Sequence, residues 1–180
     1  MTVQTLVTAD DLACLSDGER YELVRGELRH MSPVGRPHGK FATRLARHLD
    51  VFVEAHDLGE VHVETGFYLE QSPDTVRAPD VAFISKERLA TQSEEGFFTV
   101  APDLAVEIVS PGETADEVQE KVELYLTHGA RLVWVLYPHR KMVVVQRADG
   151  TAQRLRTGDT LDGEDVLPGF RLALAELFKA

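Results

Sequence analysis

The run Leu104-Ala-Val-Glu-Ile-Val109 constrains this chain more than any other segment. Apart from Glu107 it is apolar throughout, whereas a strand with one wet face would alternate apolar with polar residues. The run therefore predicts a central strand, covered on both sides, and a sheet with helices packed against it. Glu107 then sits where water is excluded, and an uncompensated charge there costs several kcal/mol even after relaxation. A basic partner, a shifted pKa or a metal ion would each compensate it.

The flanking sequence supplies the other layers. Thr8-Ala-Asp-Asp11 has the capping pattern of a helix start, and the short helix is expected to end by Ser16-Asp17-Gly18. Tyr21 to Val24 and Glu27 to Met31 flank Arg25-Gly26, a hairpin turn in which glycine supplies a positive φ. After the breakers of Ser32 to Pro37, Phe41, Leu45, Leu49 and Phe52 recur at helical spacing, predicting a helix over 38–55. Residues 60–70 and 77–85 read as two strands joined by a turn at Gln71-Ser-Pro-Asp74, followed by a short helix or loop over 86–100. Thr114-Ala-Asp-Glu117 repeats the capping box and opens a helix with Val118, Val122, Tyr125 and Leu126 on one stripe, closed by His128-Gly129. Strands follow at 131–137 and 142–147, then short strands and a last helical turn over 172–177. Helices alternating with strands, with hairpins at both ends, predict an α/β fold, an α+β mixed sheet rather than a doubly wound parallel one.

A chain of 180 residues, 43% of them hydrophobic, closes one sizeable core, so residues 1–180 are expected to form one domain. No apolar run approaches the roughly 18 residues a membrane span needs, and Met1 to Asp10 lacks the basic start and apolar middle of a signal peptide. A cytoplasmic protein is expected. The single cysteine, Cys14, excludes an internal disulfide or a thiolate cluster and reads as a small buried or half-buried residue among Leu12, Ala13 and Leu15. The net charge of −11 argues against a simple nucleic-acid binder. That objection weakens if carboxylates surround a divalent cation and the basic residues gather on one surface.

A second carboxylate, Asp80, follows Pro79, which cannot donate a ladder hydrogen bond, so Asp80 is expected where a strand begins or bends at a sheet edge. Pro102-Asp103 is the same dipeptide and reads as an ordinary turn. Lys121 lies three residues after Val118 and four before Tyr125, at the flank of the buried stripe, from which its ammonium can reach the sheet or snorkel to water. Tyr125 and Trp134 read as core. Lys40, Arg44 and Arg47 share one side of the long helix and could track a phosphate backbone or form a solvated face, and His38 stands at the helix entrance as a cap or a substrate contact.

Taken in order, Tyr21-Glu-Leu-Val-Arg-Gly-Glu-Leu28, Met31-Ser-Pro33 with His38, Pro79-Asp80, Ala101-Pro-Asp-Leu-Ala-Val-Glu107, Ser110-Pro111, Lys121, Tyr125, Gly129 and Trp134 resemble the putative restriction endonuclease (Uma-type) family of the PD-(D/E)xK nuclease superfamily. The resemblance spans most of residues 8–140. It implies a restriction-endonuclease-like core, with a central mixed sheet flanked by helices and preceded by an N-terminal helix and hairpin. It implies metal-dependent hydrolysis of DNA, with Asp80, Glu107 and the carbonyl of Ile108 holding Mg2+, or Mn2+ in its place. Glu22 matches an early acidic position of the family and would hold a metal-bound water or a second ion, unless it is a solvated hairpin residue. The superfamily's usual lysine, two residues after the acid, is replaced by Val109, and the family pattern supplies it from the following helix as Lys121. Cutting both strands of a duplex would suit a homodimer. The competing expectation is a nuclease-fold module, weak or inactive in catalysis, that binds nucleic acid or protein.

Overall fold

The computed structural model describes residues 6–16 and 19–179. Its main sheet has six strands in the order β10-β9-β8-β7-β6-β3. In chain order these are β3 (Gly59–His62), β6 (Val81–Ser85), β7 (Leu104–Ile108), β8 (Leu132–Tyr137), β9 (Met142–Arg147) and β10 (Ala152–Arg156). The pair β7 and β8 is parallel and every other pairing is antiparallel. The apolar run thus forms one of the two middle strands, and all five residues of β7 are buried.

Helices cover both faces, as that burial demands. The long helix α2 (Arg36–His56) buries Leu45, Leu49 and Val53 with Leu104, Val106 and Ile108 of β7 and Trp134 of β8. Removing such a side chain from water contributes about 1.5–3 kcal/mol, an upper estimate for a collapsed unfolded chain. On the other face α4 (Ala115–Thr127) packs Val118, Val122 and Tyr125 against Ala105, Val133 and Val135. Successive strand residues point to opposite faces, so Glu107 shares the face of Ala105 and looks toward α4.

A second sheet, ordered β2-β1-β5-β4, stands beside the first and is built from β1 (Tyr21–Val24), β2 (Glu27–His30), β4 (Phe67–Glu70) and β5 (Thr75–Arg77). Its first hairpin turns on Arg25 and Gly26 at φ 50° and 79°. Glycine is required there on a second ground, since an added Cβ would lie 2.7 Å from Cβ of Leu6. The capping box of α1 (Ala9–Ala13) forms, with Asp11 Oδ2 accepting from the Thr8 backbone at 2.9 Å. A two-stranded sheet, β11 (Thr160–Asp162) with β12 (Arg171–Ala173), and α5 (Leu174–Leu177) close the far side.

Several expectations change. The two long strands expected over 60–70 and 77–85 are each broken, at residues 63–66 and at Pro79, because Glu64 takes a left-handed φ of 51° and Gly66 packs where a Cβ would meet the Phe97 ring. β3 and β6 stay in the main sheet while β4 and β5 cross to the second. β6 lies inside the sheet rather than at an edge, and Pro79 is tolerated because it precedes the first paired residue, Val81. Cys14 is exposed, because α1 ends at Ala13 and leaves it at the cap. The expected end of that helix falls partly on Asp17 and Gly18, outside the described residues. No helix among the described residues is long and apolar enough to cross a membrane.

Candidate active site

Parallel pairing of β7 with β8 puts the C-terminal end of β7 beside Leu136, and at this end of the sheet four acidic side chains converge. Asp80, immediately before antiparallel β6, arrives at the same end, where its Oδ2 accepts the backbone N–H of Ile108 at 2.6 Å. Nε2 of His38, in the first turn of α2, lies 3.1 Å from the same oxygen. Among the described residues, Oδ1 of Asp80 has no protein partner, so one carboxylate oxygen is fixed and the other is available.

Glu107 meets two side chains of α4, one turn apart. Lys121 Nζ donates to Oε2 at 3.0 Å, and the Tyr125 hydroxyl donates to Oε1 at 2.9 Å. Lys121 donates also to Glu113 Oε1 at 2.9 Å, and Oε2 of Glu113 accepts the Ser110 N–H at 2.7 Å, which anchors the intervening loop. Glu22, from β1 in the second sheet, is buried and fully engaged. Its Oε2 accepts from Arg77 at 2.8 Å and its Oε1 from the Ala78 N–H at 2.9 Å, two residues before Asp80.

The electrostatics follow from burial and from the count of charges. Desolvation pushes the Glu107 carboxyl up, to about 7; Lys121 opposes the shift, while Asp80 and Glu22 add to it. Burial works against the charge on Lys121, but Glu107, then Glu22 and Glu113, outweigh it and hold the ammonium protonated. Burial likewise lowers His38, and the hydrogen bond and charge of Asp80 reverse this, leaving its pKa raised. Arg77 is held above its ordinary value, the charge of Glu22 overcoming desolvation. Burial and the negative charge of Glu107 and Glu22 push the Tyr125 phenol well up, so it remains a donor.

Glu22, Asp80, Glu107 and Lys121 are therefore together, although Asp80 and Glu107 come from the main sheet, Glu22 from the second sheet and Lys121 from the covering helix α4. His38 joins them as a partner of Asp80 rather than as a helix cap. Lys40 and Arg47 lie on the exposed face of α2, whereas the Arg44 guanidinium donates to the carbonyls of Leu177, at 3.0 Å, and Lys179. Sequence reasoning missed Tyr125, Arg77 and Glu113. The i+4 spacing puts Tyr125 beside Lys121 without revealing where its hydroxyl points, and Arg77 was legible as a cation two residues before a strand-opening Pro-Asp. Glu113 sits in a loop and gave no periodic signal.

A family model described as Putative restriction endonuclease, Uma2, matches residues 9–175, which include every member of this cluster. The chain belongs to the Uma2 family. Among solved structures it is similar to a putative nuclease belonging to DUF820 from Anabaena variabilis, with a TM-score of 0.83 at 19% identity, covering 96% of this chain and 97% of that one. At that identity the likeness speaks for the nuclease-like fold alone. No curated protein matches.

Restriction-endonuclease-like families generally use divalent metals, and the Uma2 cluster can be tested for fit. Among the described residues no group of three or more His, Cys, Asp or Glu is disposed as a ready-made metal cage. The donor set nonetheless suits a hard cation that keeps its own waters. Its acids are Glu22, Asp80, Glu107 and Glu113, held against Lys121 and Arg77 with His38 on Asp80, and burial, with the charges of Asp80 and Glu22 added, resists ionisation of Glu107.

Proposed function

We propose that the chain is a metal-dependent DNA endonuclease that hydrolyses phosphodiester bonds at the cluster around Asp80, Glu107 and Lys121. The observation that carries this is the surplus of buried carboxylate at the end of β7, opposed by a lysine delivered from α4 to the place left vacant by Val109. Asp80 and Glu107, with the carbonyl of Ile108, would hold Mg2+, and Mn2+ would serve in its place. When bound, such an ion supplies polarisation of a phosphoryl oxygen and a lowered pKa for a coordinated water.

The protein's own groups divide the remaining work. The Ile108 N–H and His38 fix one oxygen of Asp80 and leave the other free of protein partners among the described residues. Tyr125 fixes Oε1 of Glu107, the oxygen that Lys121 does not contact. Lys121, protonated at neutral pH, donates toward the negative charge that develops as water oxygen bonds to phosphorus and the phosphorus–oxygen bond to the leaving strand breaks. Glu22 holds Arg77 and the Ala78 N–H, which sets the approach of Pro79-Asp80 to β7. A homodimer would present two such centres to the two strands of a duplex.

One observation favours a second function, a nuclease-fold module that binds without turnover. Lys121 is shared with Glu113 as well as Glu107, so its ammonium is already satisfied twice. Incubation of the protein with supercoiled and linear DNA, with Mg2+ or Mn2+, separates the two. Cleavage should appear with the wild type and fall by about 10²–10³ or more in Asp80→Ala and in Lys121→Ala. Cleavage retained by both variants removes the assigned centre; a wild type that neither cuts nor takes up divalent metal in calorimetry leaves the binding module.

A further inference from the structure

The distribution of basic residues is the part of this molecule that the cluster itself does not explain. In a chain of net charge −11, residues 28–49 contain no Asp or Glu and carry Arg29, Arg36, Lys40, Arg44 and Arg47. Residues 124–148 are equally free of acids and carry Arg131, Arg140, Lys141 and Arg147. Far apart in sequence, the two stretches meet in the fold. The first turns of α2 reach the site through His38 and Asp80. The second stretch runs along β8 to the same end, where the Val109 N–H donates to the Leu136 carbonyl, and then makes the single 3-10 turn Pro138–Arg140, against which α2 packs.

Apart from Arg44, which donates to the carbonyls of Leu177 and Lys179, the basic side chains at this end are not used by the fold. Arg36, Lys40, His139, Arg140 and Lys141 are exposed, and among the described residues none takes part in an ion pair. Cations at the opposite end of the sheet are neutralised instead: Lys86 by Asp57, Arg131 by Asp165 and Arg88 by Asp103. Arg36 and Lys40 are one turn apart on α2, and Arg47 continues the same exposed face about 16 Å from Arg36 at 1.5 Å per residue. Arg131 and Arg147, at the far end of the second stretch, are paired with Asp165 and Glu164, so the unpaired cations of the two stretches gather at the end where the cluster lies.

Resting on the nuclease function proposed above, we propose that this edge is the surface that carries the substrate's phosphate backbone. The first half of α2 and the Pro138–Lys141 turn that packs against it form this surface beside the cluster. Lys40 and Arg140 are its central contacts. Unpaired lysine and arginine displace condensed counterions from a nucleic acid, which fixes the backbone in register without reading sequence. The local charge thereby overcomes a net charge that would otherwise repel the ligand.

The test is binding without turnover, on the full chain in EDTA, by fluorescence anisotropy of a labelled duplex DNA over a series of salt concentrations. Lys40→Glu/Arg140→Glu is compared with Lys86→Glu/Arg131→Glu, which changes formal charge equally at the opposite end of the sheet, and thermal melts check that both pairs are folded. The first pair should weaken binding by about tenfold or more at low salt and reduce the salt slope by about two, with the control pair within about twofold of the wild type. Equal losses in the two pairs, no loss in the first, or no wild-type binding at low salt overturns the proposal. If the wild type cuts DNA yet the two pairs bind alike, this surface fails and the nuclease function stands. If only the first pair loses affinity and no form of the protein cuts, the surface stands and the nuclease function fails.

Discussion

Of the three aspartates in this chain that follow a proline, two precede adjacent antiparallel strands of the main sheet and so lie at its opposite ends: Asp103 before β7 and Asp80 before β6. Both are buried. At the Asp103 end, one oxygen accepts the Ser85 N–H at 2.8 Å and the other faces Arg88 Nε at 3.3 Å, a single acid balanced by a single base. At the Asp80 end a comparable carboxylate stands among Glu107, Glu22 and Glu113, and acids outnumber permanent cations. Burial therefore does not separate a structural carboxylate from a chemical one. Under the function proposed above, local charge balance does, because a satisfied pair has nothing left to offer a ligand, while a cluster with surplus negative charge favours a cation.

The strongest way to break this comparison is to remove each aspartate in turn. Asp80→Ala should abolish metal-dependent cleavage while leaving the fold intact, whereas Asp103→Ala should keep cleavage per folded molecule and lose roughly 2–3 kcal/mol of stability. The lower end of the usual range for a broken buried pair applies because Arg88 remains about a quarter exposed. Cleavage assays beside urea melts check both, and a swap of the two outcomes would sink the contrast.

Next in size is the pH response of the metal-free protein. The Glu107 pKa in the fold, about 7, lies above its ordinary value of 4.5. Ionisation is therefore resisted in the folded state, so the stability this group contributes is full below about 4.5 and is lost as pH rises through about 7. Between pH 5 and 8, in EDTA, wild-type stability should fall by about 2 kcal/mol on account of this group, and Glu107→Gln should flatten that slope. A slope unchanged in the variant would mean that Lys121 fully neutralises the carboxylate and that no surplus exists. The smallest effect is expected from Tyr125→Phe, which removes one hydrogen bond to a buried carboxylate. It should cost about 1–2 kcal/mol in a melt and lower cleavage several-fold without abolishing it.

Legibility differed residue by residue. Glu107 could be found from its own segment, because an acid inside a doubly covered strand breaks a local rule that something must compensate. Lys121 could be found from helical spacing together with the valine at position 109. Asp80 could not be told from Asp103 by sequence, since the same dipeptide opens both strands and only the neighbours brought in by the sheet differ. Tyr125 was legible as core but not as a donor, because apolar neighbours do not reveal where a hydroxyl points. Cys14 was misjudged because its apolar neighbours belong to a one-turn helix too short to enclose it.

What the sequence determined by itself was the layered α/β plan, the central strand and the need for some compensation of Glu107, since periodicity and the cost of burying charge act locally. Only the tertiary structure decided which carboxylates share that need. Sheet order brings Asp80 to β7, and the second sheet brings Glu22 to Asp80 by way of Arg77 and the Ala78 N–H. The chain reverses between these elements, and charge balance is a sum over groups that no stretch of sequence contains together.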